Sequence, residues 1–165
     1  MQPLTVEPQS MAQAESKLSP ILTTPIPANN IQCLNLSQNQ LGMAGTECIC
    51  RLITQYKSLT YLNLFRNSIG DPGVHLLSQA LCSNSSLAML NLKANDITQQ
   101  GLAGLAEVVA KHSSLCWLSL SNNPLGPSGS THLARMIHET QSLTYLDISN
   151  GLLKPEYIVQ VCCSW

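Results

Sequence analysis

From Ile31 onward, apolar and polar residues alternate in short bursts that return every 28 residues. The bursts begin at Ile31, Leu59, Leu87, Leu115 and Leu143 and read IQCLNLSQNQL, LTYLNLFRNSI, LAMLNLKANDI, LCWLSLSNNPL and LTYLDISNGLL. All fit the frame L-x-x-L-x-L-x-x-N-x-L, except that Gly151 replaces the asparagine in the last. Pairs such as Leu62/Leu64 and Leu118/Leu120 send every second side chain to the same face, which predicts short strands buried on one side and wet on the other. A fixed period of this kind predicts equal units stacked so that their strands form a parallel sheet.

The intervals between bursts have a different spacing. Ile49, Leu52, Ile53; Leu77, Ala80, Leu81; Leu105, Val108, Val109; and Leu133, Met136, Ile137 recur at three- and four-residue steps, which predicts one amphipathic helix per unit. Each helix follows a glycine-containing start: LGMAG, IGDPG, ITQQG or LGPSG. Asp71, before Pro72, and Thr98 read as helix N-caps. Gly45, Gly73, Gly101 and Gly129 are expected to let the helix and strand layers approach closely. Asn39, Asn67, Asn95 and Asn123 fall where the chain leaves each strand; a buried amide there pairs backbone groups through both its donors and its carbonyl, so a hydrogen-bonded ladder is expected.

The expected fold is therefore an α/β solenoid of five 28-residue repeats over residues 31–165, the arc of a horseshoe, with a parallel sheet on the concave side and helices on the convex side. Residues 1–30 hold five of the nine prolines and read as a flexible leader, with Ile21, Leu22 and Ile26 placed to form a partial cap. The repeat resembles the ribonuclease-inhibitor type of leucine-rich repeat. It is similar to the repeat regions of nucleotide-binding leucine-rich-repeat receptors, of Ran GTPase-activating proteins and of several ciliary or sperm repeat proteins. What the resemblance implies is a horseshoe fragment used for binding, shorter here than in many relatives.

Reading the frame in columns locates the surface that would bind. The third positions are Cys33, Tyr61, Met89, Trp117 and Tyr145; the fifth, Asn35, Asn63, Asn91, Ser119 and Asp147; the seventh, Ser37, Phe65, Lys93, Ser121 and Ser149; the eighth, Gln38, Arg66, Ala94, Asn122 and Asn150. Four of the seven aromatic residues, Tyr61, Phe65, Trp117 and Tyr145, fall on this face, which the core does not need. Exposed Trp and Tyr beside polar residues and Arg is the composition of a protein-binding hot spot. The candidate binding residues are Tyr61, Phe65, Arg66, Met89, Lys93, Trp117, Tyr145 and Asp147. The competing reading is a side-chain ladder that only stabilises the sheet.

Composition narrows the function. Charged residues are 10% of the chain and the formal net charge is −1, so neither nucleic acid nor a membrane surface is an expected partner. The amino terminus has no secretory signal pattern, which places the chain in the cytoplasm or nucleus. Seven scattered cysteines read as free thiols, and the Cys48/Cys50 pair lacks the further ligands of a zinc site, so no metal or other cofactor is expected. His75, His112, His132 and His138 fall on helices or their ends and read mostly as solvated, His132 as half buried. No nucleophile–base pair and no phosphate-binding loop is present in the sequence, so a non-catalytic scaffold, adaptor or regulator is expected. The alternative is a truncated or alternative product of a longer receptor or GTPase regulator. The Cys162-Cys163 ending reads as part of a last helix. The fifth unit, without its asparagine, should leave a weak solenoid end open to self-association.

Overall fold

The computed structural model describes residues 4–5 and 31–153. Strands and helices run in the order β1 (Leu4–Thr5), β2 (Cys33–Asn35), α1 (Gly42–Gln55), β3 (Tyr61–Asn63), α2 (Gly70–Cys82), β4 (Met89–Asn91), α3 (Gln99–Lys111), β5 (Trp117–Ser119), α4 (Gly126–Glu139) and β6 (Tyr145–Asp147). The strands form one parallel sheet in chain order. From β2 to β6 each residue sits opposite the one 28 positions later, so that Leu34, Leu62, Leu90, Leu118 and Leu146 share one row. The first strand precedes the repeats: Leu4 pairs with Leu34, thirty residues on, and Thr5 with Asn35. This strand lies outside the 28-residue periodicity and is not expected from it. Ile21, Leu22, Ile26, Cys162 and Cys163 lie outside the described residues.

The core lies between sheet and helices. Leu34, Leu36, Leu62, Leu64, Leu90, Leu92, Leu118 and Leu120 are buried, as are the helix residues Ile49, Leu52, Leu77, Leu81, Leu105, Val109, Leu133 and Met136. In the fifth unit the equivalent Leu146 and Ile148 are only half-buried. Each strand from β2 to β6 lasts three residues because the frame then turns. Gln38, Arg66, Ala94, Asn122 and Asn150, all at the eighth position, have left-handed backbones with φ between 54° and 61°. Gly42, Gly70 and Gly126, the first residues of α1, α2 and α4, are left-handed as well, at φ 53° to 67°, where a side chain would be strained. The third unit has Thr98 at that place. Its backbone is extended, and its Oγ1 caps α3 by accepting from the Gln100 N–H at 3.2 Å.

Asp71 does not cap its own helix. It lies in the first turn of α2, whose N-cap is Ile69, and reaches instead to the next unit. Its Oδ1 accepts from the Thr98 N–H at 2.8 Å and its Oδ2 from the Thr98 hydroxyl at 2.6 Å. The carboxylate thus ties the starts of α2 and α3 together, which requires the two helices to lie close. Gly101 permits this: a Cβ there would overlap the Asp71 carboxylate and lie 3.1 Å from Asp71 Cα. Contrary to the expectation from sequence, the glycines allow close approach to neighbouring helix starts and to the residue four positions earlier (Leu41, Ile69 or Leu125), not to the strand layer.

Two polar columns hold the units in register. On the strand side, the backbone N–H groups of Asn39, Asn67 and Asn95 donate to the Oδ1 atoms of Asn67, Asn95 and Asn123 at 2.9, 2.9 and 2.8 Å. The side-chain amides give their protons to strand carbonyls: Asn67 to Leu36 at 2.9 Å, Asn95 to Leu64 at 2.8 Å and Asn123 to Leu92 at 3.0 Å. All four asparagines are buried. On the return side, Asn84 and His112 occupy equivalent places after α2 and α3. Asn84 Oδ1 accepts from the Ser86 and Leu87 N–H groups, and His112 Nδ1 from the Ser114 and Leu115 N–H groups at 3.3 and 3.1 Å. Serines before β3, β5 and β6 add cross-unit bonds, with Ser58, Ser114 and Ser142 donating to the carbonyls of Ile31, Leu87 and Leu115.

His112 is therefore not a solvated helix residue. It is 93% buried, and by accepting two backbone N–H groups at Nδ1 it is held in the neutral form with its proton on Nε2. Burial lowers its pKa below the ordinary 6.5, an effect partly offset by the Asn84 backbone. The unfolded chain then takes up the proton before the folded one, so stability should fall as the pH drops below about 6.5, by at most about 1.4 kcal/mol per pH unit for one proton. Replacing His112 with asparagine, the residue that serves the same turn at Asn84, should remove most of this dependence. Denaturant midpoints at mildly alkaline and mildly acidic pH decide the matter. An equal acid loss in His112→Asn would place the effect elsewhere.

Candidate functional site

The short strands and their strict register convert the sequence columns into rows of neighbouring side chains on the concave face. Tyr61, Met89, Trp117 and Tyr145 follow one another in the third-position column. Their inward neighbours Leu62, Leu90 and Leu118 are fully buried, so the alternation turns this column outward. Trp117 and Tyr145 stack with ring centroids 5.3 Å apart and planes parallel within 1°. Trp117 is half-buried and Tyr145 is 49% exposed, so the pair is open to solvent.

Phe65 forms a second centre at the seventh position. The guanidinium of Arg66 lies 5.4 Å from its ring centre and the ammonium of Lys93, from the next unit, 5.9 Å. These are cation–π distances, and they gather two positive charges about one apolar ring. Phe65 and Lys93 are half-buried and Arg66 is exposed. The ion pairs among the described residues all involve Arg135, with Glu107 and Glu139 on the helix side, which leaves both of these cations without a carboxylate partner.

Asp147 supplies the opposite charge beside the aromatic pair. Burial alone would raise its pKa, but hydrogen bonds from Ser149, Ser121 and Ser119 outweigh that and hold it below the ordinary value, as the anion. Ser149 donates to Oδ1 through its hydroxyl at 2.8 Å and its N–H at 3.1 Å, and Ser119 donates to Oδ2 at 3.1 Å. Ser119 and Ser121 are buried although their columns face the solvent side. Serine is the smallest residue in either strand position, and the carboxylate of Asp147 sits directly on Ser119. In the other units the fifth-position asparagines also have local work: Asn35, Asn63 and Asn91 each accept from the N–H two residues on, at 3.0 to 3.1 Å. This use of the fifth column was not foreseen. An Asn followed by a turn two residues later is the sequence signal that would have shown it.

All eight candidate binding residues thus lie on one face, in two groups, with Tyr61 and Met89 joining them along the third column. The histidines do not meet there. Among the described residues no group of three or more His, Cys, Asp or Glu could hold a metal ion, and burial with Glu47 nearby raises the Cys50 thiol to about 11. On the convex return side, two clefts of about 510 and 570 Å³ share Lys111, His112 and Ser113 in their walls. No described helix is long and apolar enough to cross a membrane.

The Leucine Rich repeat family model matches residues 28–50 and 57–78. No curated protein matches the chain in sequence. Among solved structures, the fold is similar to the Leiomodin-1 Actin-Binding Site 2, with a TM-score of 0.68 at 15% identity over 96% of this chain and 88% of that one. It is also similar to the tropomodulin C-terminal domain of Caenorhabditis elegans, with a TM-score of 0.72 at 19% identity over 92% of this chain and 90% of that one. At such identities the likeness is one of fold. The 28-residue register, the two matched repeats and these neighbours together show an α/β solenoid fold built from leucine-rich repeats.

Proposed function

We propose that this chain is a non-catalytic interaction module that binds a protein partner on its concave strand face, centred on Trp117 and Tyr145. The observation that carries the reading is the stacked pair itself. Stacking stabilises a sheet without requiring exposure, yet Tyr145 is 49% exposed and the column continues through Met89 and Tyr61. Large rigid aromatics flanked by Arg66, Lys93 and Asp147 form the kind of surface that concentrates binding energy. A solved structure of similar fold is an actin-binding site of leiomodin-1, which makes monomeric actin the first purified probe. The five described cysteines, Cys33, Cys48, Cys50, Cys82 and Cys116, are free thiols, which suits a reducing cytoplasmic or nuclear setting.

The test compares Trp117→Ala with Lys111→Ala on the helix side, both checked for folding, against actin and against partners retained by the parent chain. Truncating a central Trp in a desolvated interface costs about 2 kcal/mol, close to a thirtyfold loss of affinity, whereas Lys111→Ala should leave binding unchanged. Retention of full affinity by Trp117→Ala would move the site off the strand face, and a loss confined to Lys111→Ala would put it on the convex side.

A further inference from the structure

Building on the concave-face reading, we infer that the partner docks through an extended segment with an acidic side chain at one end and a basic side chain at the other. The acidic end sits over Phe65 between Arg66 and Lys93, and the basic end beside Asp147 against the Trp117–Tyr145 pair. The three residues are the only charged ones in the described strand columns, and they are segregated: both cations in the second and third units, the anion in the fifth. Each is pre-positioned. The two cations flank one ring at 5.4 and 5.9 Å, and the Asp147 carboxylate is fixed by hydroxyl and backbone donors from Ser119 and Ser149. Neither cation is neutralised by a neighbouring carboxylate among the described residues.

The spacing favours a short extended strand of polypeptide. Strands in a sheet lie about 4.8 Å apart, so the distance from Phe65 or Lys93 to Asp147, three or two units away, is about 10 to 14 Å, or roughly four residues of extended chain. Two cations beside an anion suit a segment of mixed charge. A nucleic acid would meet Asp147 with its phosphates and find only two cations to neutralise it. A wholly acidic peptide would gain at one end and be repelled at the other.

The experiment selects binders from a random-peptide display library on the full chain, and on the variants Arg66→Glu/Lys93→Glu, Asp147→Lys and Trp117→Ala, each confirmed to be folded. The parent should enrich peptides carrying an acidic and a basic residue roughly four positions apart, in either chain direction. Synthetic versions of those peptides should bind the Arg66→Glu/Lys93→Glu variant about tenfold or more weakly, and should lose affinity between about 50 and 300 mM salt. The Asp147→Lys chain should keep the demand for the acidic residue and lose that for the basic one. Peptides that require Trp117 but show no charge pattern would overturn the inference and leave the concave site standing. Peptides indifferent to Trp117→Ala as well would overturn both, and failure to enrich any peptide would overturn the inference alone.

Discussion

Replacing Gly101 with alanine should lower the stability of the fold by about 2 to 4 kcal/mol, although alanine is the better helix former. The added Cβ would overlap the Asp71 carboxylate and press on Asp71 Cα at 3.1 Å, and backbone cannot swing aside as a side-chain tip can. Either α3 moves off α2, opening the packed layer, or Asp71 turns away and gives up its bonds to the Thr98 N–H and hydroxyl at 2.8 and 2.6 Å. Gly104, three residues later in the same helix, is the control. A Cβ there meets only His75 Nδ1 at 3.9 Å, so Gly104→Ala should gain about 0.5 to 1 kcal/mol from helix propensity. Denaturant midpoints moving in opposite directions would confirm the cross-unit tie, and a gain in both variants would show that the helix starts can separate freely.

Asn95→Ala should be comparably damaging. Asn95 Oδ1 accepts from the Asn67 N–H at 2.9 Å, and its amide donates to the Leu64 and Lys93 carbonyls at 2.8 and 3.2 Å. Truncation strands the buried Asn67 N–H, at about 1 to 3 kcal/mol for each buried group left unpaired, which gives a total of about 2 to 4 kcal/mol. Asn91→Ala loses one half-exposed bond to the Lys93 N–H and should cost under about 1 kcal/mol. Chemical denaturation of both variants, with the slope of the transition monitored, provides the comparison. Equal losses would mean that the ladder contributes no more than an ordinary surface turn.

Much of this architecture is legible in the sequence because its determinants are periodic. Leu62 and Leu64 define a strand by alternation, Ile49, Leu52 and Ile53 a helix by spacing, and five recurrences fix the register without any knowledge of contacts. The outward column containing Trp117 and Tyr145 follows from the same arithmetic. What escaped depends on pairs distant in sequence or on places filled by unlike residues. Asp71 reads as a cap for its own helix because the local pattern Asp-Pro says so; its real partner, Thr98, comes within reach only because Gly101 lets two helices touch. His112 and Asn84 share one role on the return turn, but imidazole and amide do not look alike in a sequence. Leu4–Thr5 went unread as a strand since it stands alone in a proline-rich stretch and pairs at a step of thirty residues instead of 28.

The asparagine ladder has a direction, since every rung is secured by an oxygen that belongs to the following unit. At Gly151 that oxygen is missing, and Leu146 and Ile148 are less covered than their counterparts. In a one-dimensional array, stability resides in couplings between nearest neighbours, so the weakest coupling sets where melting begins. Local opening should therefore be easier at β6, the strand that carries Tyr145 and Asp147, than at the strands joined by the ladder. A ligand gripping both of those residues and Trp117 would clamp this unit to its neighbour, and part of its binding free energy would be spent on suppressing that fluctuation.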